Sequence, residues 1–381
     1  MRDRFPGIGD DWARFDGPAG TQMVDTAIDA MSDFMRSGDN ANIGGQFAAS
    51  MACTELVTDA RHTVARLVGA DAAGIAFGAN MTTLNFALTR ALAREWEPGD
   101  EIVGTRLDHD ANVTPWQLAA DDRGAVLRLA AFDTATGRLD PDAIAALIGP
   151  RTRWVAVTGA SNALGTMPDV TAVVRAAHRE GARVLVDAVH LVPHAPVDIT
   201  ALGCDALLTS PYKWYGPHAG VLWLAPDLRD ALTPYKVRPA PATAPGRWET
   251  GTSAYEAIAG IAAAARFLLD VGVATIAARE RAVFTPLLAG LLDMDHVTVH
   301  GPRDLDARTP TVSFGVTGLL PEAVAAHLAT QRVAVWSGNY YAVETMGALG
   351  LRDGAVRAGV SAYTTPAEVE RLLGAVAELG S

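Results

Sequence analysis

The chain has 381 residues, 49% of them hydrophobic and 19% charged, a balance that supports a folded core and excludes a disordered or low-complexity chain. Its 31 basic and 43 acidic residues leave a net charge of −12, which repels nucleic-acid backbones and anionic bilayers alike. The length exceeds what one core serves, so a large domain and a smaller one are expected.

The opening MRDRFPGIGDDWARF has no apolar stretch of signal-peptide type. An N-terminal segment over 1–20 is expected to pack on the small domain, with the large domain spanning 21–272 and the small one 273–381. From Met51 to Ala225 short apolar runs alternate with segments of helical period. The runs GIAFG, EIVGT, AVLRLAAF, RWVAVTGAS, ARVLVDAV, ALLTS and GVLWLA predict strands, and MTTLNFALTRALAREW, DPDAIAALIG and DVTAVVRAAHREG predict helices between them. This is the pattern of an α/β domain with a mostly parallel seven-stranded sheet, which binds ligands at the carboxyl ends of its strands. KVRPAPATAPGRWETGT carries Pro239, Pro241 and Pro245 and is read as a loop crossing an edge of the large domain. The apolar run from Ala257 to Leu269 is broken by Arg266, so a membrane span is not expected. Two helical patterns reach Leu292, and HVTVHG, TPTVSFGV, PEAVAAHLATQ, VAVWSG, AVRAGVSA and a last helix from Pro366 then make a small α+β domain. Two cysteines, Cys53 and Cys204, form neither a disulfide framework nor a metal-spaced pair, which suits a cytoplasmic protein.

Two residues carry the first chemical signal. In VLVDAVHLVPH an apolar strand ends in Asp187, which leaves a carboxylate at the ligand edge of the sheet, although a turn or helix cap would use the same residue. In LLTSPYKWYGPHAGV, Lys213 stands among Tyr212, Trp214 and Tyr215, where desolvation would lower its pKa and make it an amine nucleophile toward an aldehyde; a surface lysine on a turn is the plainer alternative. Taken together, one ends a predicted strand and the other follows the next, so both should face one crevice. Pyridoxal enzymes need this pair, a lysine to bind the aldehyde and a carboxylate to keep the pyridine nitrogen protonated. No GxGxxG follows the first strand and no GxxxxGK[ST] occurs, so a nucleotide site has little support.

With these motifs the chain resembles the class V aminotransferase family of fold type I pyridoxal-phosphate enzymes, most closely its cysteine desulfurase and selenocysteine lyase branch, from about Asn40 to Thr365. The resemblance implies that His109, in LDHDANVTPW, stacks on the cofactor ring and exchanges protons. It implies that Asn162, in SNALG, bonds the phenolate oxygen or the substrate carboxylate, and that His190 stands where a glutamine is common beside that oxygen. A phosphate cradle is implied from Asn80, Met81 and Thr82 at a helix N-terminus, with Ser210 and Tyr212. Thr252 in ETGT would reach the phosphate of a partner subunit in a homodimer. Arg357, in VRAGVSAYTT, would grip the substrate α-carboxylate.

The resemblance breaks in VWSGNYYAVE, where relatives carry the sulfur-attacking cysteine and this chain has Tyr341, with Trp336 in place of an arginine and Asn339 and Tyr340 in or near histidine positions. A tyrosine hydroxyl forms no persulfide. The expectation is therefore an enzyme acting on an amino acid through Lys213, His109 and Tyr341, with Trp336 and Asn339 near the substrate. It would remove the α-proton and eliminate a β-substituent, as a carbon–sulfur lyase does. Epimerisation, transamination and a non-catalytic scaffold are the alternatives, and neither a nucleic-acid nor a membrane partner is expected.

Overall fold

A computed structural model describes residues 1–9 and 11–380. The seven predicted runs of the large domain form strands β1 (Ile75–Gly78), β2 (Glu101–Thr105), β3 (Val126–Ala130), β4 (Thr152–Thr158), β5 (Arg183–Asp187), β6 (Ala206–Thr209) and β7 (Gly220–Leu224). They make one sheet in the order β1-β7-β6-β5-β4-β2-β3. Only β7 is antiparallel to its neighbours, so the other six strands run one way. The fold is α/β of type I, with a mostly parallel sheet and a smaller C-terminal domain. Apolar runs without alternation report burial on both faces but not strand direction, and the reversal of β7 leaves no mark in GVLWLA.

This topology gathers chemistry at one edge. In register, Thr158 lies opposite Asp187 and Asp187 opposite Leu208, so the carboxyl ends of β4, β5 and β6 lie side by side. Because β7 runs backwards, its first residue, Gly220, pairs with Gly78 at that same edge. A Cβ on Gly220 would come within 2.4 Å of the Asn80 carbonyl carbon, so only glycine lets the start of the Met81–Leu92 helix close against the sheet. Asn80 caps that helix, its Oδ1 accepting from Thr83 N at 2.8 Å.

The Pro-rich loop crosses the β1 edge. Phe77 N donates to Glu249 at 2.8 Å, and Arg61 grips the same carboxylate through both terminal nitrogens at 2.8 Å. A strand with an open side is thereby satisfied by side chains rather than by another chain.

Beyond the Tyr255–Val271 helix, Gly272 at φ +84° breaks the chain before the Val273–Leu292 helix. A second core follows, built from Val283 to Val376 around the antiparallel strands β8 (Val297–His300), β9 (Thr311–Val316), β10 (Trp336–Gly338) and β11 (Ala355–Gly359), ordered β10-β11-β9-β8. Ala13 and Phe15 belong to this core, and Ala13–Arg14 pair with Val333–Ala334, while Phe5 packs in the large core. The run VAVWSG is divided between two strands: Val333–Ala334 takes the N-terminal segment and Trp336–Gly338 takes β11. DPDAIAALIG yields only the short helix Pro141–Ala145. No single described helix is long and apolar enough to cross a membrane.

Candidate active site

The pocket opens where β4, β5 and β6 end. Its inner chamber is lined by Asn80, Met81, Thr82, His109, Asn162, Asp187, His190, Ser210, Tyr212 and Lys213, among others. Trp336, Asn339, Tyr341 and Arg357 line the outer chamber, which shares His109, Asn162 and Lys213 with the inner one. Of the residues expected to touch cofactor or substrate, Thr252 alone lies outside both chambers, and it is exposed.

Asp187 is 5% exposed and burial raises its pKa to about 6, opposed by a hydrogen bond from Val189 N at 3.0 Å and by the charge of Lys213. The turn-capping use weighed for this residue is thus present in one oxygen. Burial likewise pushes the Lys213 ammonium well below its ordinary value, helped by Arg357 and opposed by Asp187. Lys213 therefore tends toward the free amine that attacks a carbonyl. Its Nζ donates to the Pro18 carbonyl and sits 5.0 Å from the centre of the Tyr212 ring.

His109 accepts at Nδ1 from Ala111 N at 3.0 Å, which leaves the proton of the neutral ring on Nε2. Burial first, then Lys213 and Arg357, lower its pKa to about 4, so it is neutral at physiological pH. Tyr341 stacks on it with centroids 5.5 Å apart. Arg357 is 4% exposed and lies under the Tyr340 ring, 4.3 Å from its centroid. Its Nη1 donates to the Asn162 carbonyl at 2.9 Å. Asn162 Nδ2 donates to the Tyr340 carbonyl at 2.9 Å.

Two buried polar atoms at this spot have no hydrogen-bond partner among the described residues, Asn162 Oδ1 and Arg357 Nε. Orphans cost free energy unless a ligand satisfies them. Together with an amine and a carboxylate lining one pocket, and with the helix N-terminus at Met81, they suit an aromatic aldehyde phosphate such as pyridoxal phosphate.

Two groups escaped the sequence reading. The Pro18 carbonyl and Ala19 reach the pocket from the N-terminal segment, and the GPAG run that carries them has no reactive side chain to announce it. Asp108 was quoted within its motif without a role. It is 1% exposed, accepts from Thr105 Oγ1 and from Asn112 Nδ2 at 2.8 Å, and burial raises its pKa to about 8. Neither cysteine lines the pocket. Burial raises the thiol pKa of both, that of Cys204 to about 12.

The family model for class V aminotransferases matches residues 14–372. A probable cysteine desulfurase of Mycobacterium leprae is 33% identical over 95% of this chain, which spans 61% of that relative's length. The cysteine desulfurase of Enterobacter sp. strain 638 is 32% identical over 95% of this chain and 91% of its own. Among solved structures, the apo cysteine desulfurase of Thermococcus onnurineus NA1 superposes with a TM-score of 0.94 at 29% identity, covering 99% of this chain and 96% of that one. Sequence motifs, sheet topology and pocket converge: the chain belongs to the class V aminotransferase family, pyridoxal-phosphate-dependent enzymes of fold type I.

Proposed function

We propose that this enzyme removes the α-proton of a cysteine-like amino acid and eliminates its β-substituent, without a protein persulfide. The observation that carries the reading is a pocket holding Lys213, Asp187, His109 and Arg357 together under a loop that carries Tyr341, where the family resemblance leads one to expect a cysteine. Bound pyridoxal phosphate supplies an electron sink for the Cα carbanion. Arg357 and Asn162 orient the substrate carboxylate. Asp187 would hold a proton at the pyridine nitrogen, and His109 would stack on the ring. Asn80, Met81, Thr82, Ser210 and Tyr212 take the phosphate, and Met81 N already faces Ser210 Oγ at 3.3 Å. Lys213 accepts the α-proton at Nζ; the β-carbon–sulfur bond then breaks, the sulfur leaving with the electron pair and gaining a proton as thiol or sulfide. Water completes the reaction to pyruvate and ammonia.

A homodimer is part of the proposal. Met35, Ile43, Phe47 and Met51 expose apolar side chains on and between the first two long helices, and Thr252 acts in trans. Epimerisation is the second reading, favoured by Tyr341 standing on His109 as a further proton carrier.

The test is product analysis with cysteine and S-substituted cysteines. Pyruvate with thiol supports elimination. Solvent deuterium at Cα without net loss of substrate supports epimerisation, and a pyridoxamine spectrum supports transamination. Purified protein should absorb in the near-visible, and borohydride should fix the cofactor to Lys213.

A further inference from the structure

Behind the pocket runs a buried polar chain that the reaction outlined above does not use. His190 is 3% exposed, and its Nε2 lies 2.9 Å from Thr311 Oγ1 on β9. The His194 ring meets His190 edge-on, centroids 5.1 Å apart at 71°. His194 Nδ1 lies 2.7 Å from Glu280 Oε2, and Glu280 is fully enclosed on the Val273–Leu292 helix. Glu280 Oε1 accepts from the Tyr215 hydroxyl at 3.2 Å, and that hydroxyl accepts from Ala362 N at 3.2 Å. The chain thus joins the β5 and β6 segments of the large domain to the long helix and to the small sheet.

A carboxylate enclosed on a helix is costly unless a proton or cation answers it. Packing alone would be served more cheaply by apolar side chains of the same volume, so the retained polar pair asks for a role. The ring of His190 is its point of contact with the pocket. Charged groups face His190 from three sides: His194 along its own turn, Lys213 after β6 and Arg357 on β11. After burial itself, each of the three disfavours a positive His190, which therefore stays neutral.

We propose that Glu280 and His194 share one proton between Oε2 and Nδ1, and that this imidazolium–carboxylate pair is the positioning device that fixes His190 against the cofactor and sets the proton affinity of the lysine-linked cofactor. Glu280 and His194 are positioning residues, since neither lines the inner chamber. The pair is a dipole whose positive end faces His190. A positive end beside the pocket disfavours a further proton there and lowers the pH at which the linkage takes one up. The inference rests on the cofactor reading above.

The experiment is a spectrophotometric pH titration of the near-visible band in holoenzyme without substrate. Glu280→Gln should raise the midpoint by about one pH unit, because the carboxylate that keeps the proton on His194 is lost, and with it the positive end beside the pocket. His194→Asn should shift it in the same direction, and the double variant should move it no further than either single change. In a His190→Asn background Glu280→Gln should shift the midpoint less than in wild type, because the part of the effect that acts through His190 is gone. If either single variant folds, binds cofactor and titrates with the wild-type midpoint, the proposal is overturned and the pair is purely structural. Wild-type protein without the band overturns the cofactor reading instead, and the positioning role with it.

Discussion

The floor and the roof of the pocket are built by different means. Asp187 and Lys213 on the floor follow the ends of β5 and β6, in a sheet whose core positions, such as Leu185 and Val186, are fully buried. The roof, Gly338 to Ala342, belongs to the small domain and takes an unfavourable backbone: Gly338 at φ +112°, Tyr340 at +55° and Tyr341 at +58°. Left-handed conformation costs a non-glycine residue about 1–2 kcal/mol. Within the loop Tyr341 N donates to Asn339 Oδ1 at 3.0 Å, and from the large domain Asp110 N donates to the Tyr341 carbonyl at 2.7 Å and Asn162 Nδ2 to that of Tyr340. The floor is placed by the sheet topology. The roof is held in part by contacts across the pocket.

The largest effect should come from the floor. Lys213→Ala should end covalent cofactor attachment and lower kcat by roughly 10²–10⁴-fold, read by borohydride labelling and steady-state kinetics. Residual activity near wild type would break the comparison at once. Asp187→Asn should keep the fold and lower kcat about 10²–10³-fold, because a fixed charge under the ring is lost.

Arg357→Lys stands between floor and roof. It loses the fork that meets a carboxylate and should raise KM about tenfold or more while kcat changes less. A drop in kcat with KM unchanged would place Arg357 outside substrate binding.

Stability should separate the two regions more sharply. Leu185→Ala beneath the floor should cost about 2–5 kcal/mol in denaturant unfolding. Tyr341→Gly in the roof should cost under about 1 kcal/mol, since relief of φ strain offsets lost stacking and added backbone entropy. Equal losses would mean that the roof is as firmly built as the sheet.

The smallest effect is a pH dependence. In protein stripped of cofactor, Asp187 titrates near 6 when folded against 3.8 as its ordinary value. The folded state then holds the extra proton, so the contribution is present below pH 3.8 and is lost as pH rises to about 6. Asp187→Asn should remove that slope between pH 4 and 6 from the stability curve.

Much of this molecule is legible in its sequence. Buried strands need apolar runs and helices need their period, so all seven strands of the large sheet appear at their places in GIAFG through GVLWLA. A lysine among aromatic residues and an aspartate at a strand end stand out because each contradicts its surroundings, and those two positions meet in one pocket. What the tertiary structure alone decided has another character. The reversal of β7, the division of VAVWSG between two partners, the arrival of the Pro18 carbonyl beside Lys213 and the chain from His190 to Glu280 all depend on backbone groups or on residues far apart in sequence. Local propensity and periodicity carry information over a few residues, whereas strand direction, carbonyl placement and the partner of a buried carboxylate are settled only when distant segments close on one another.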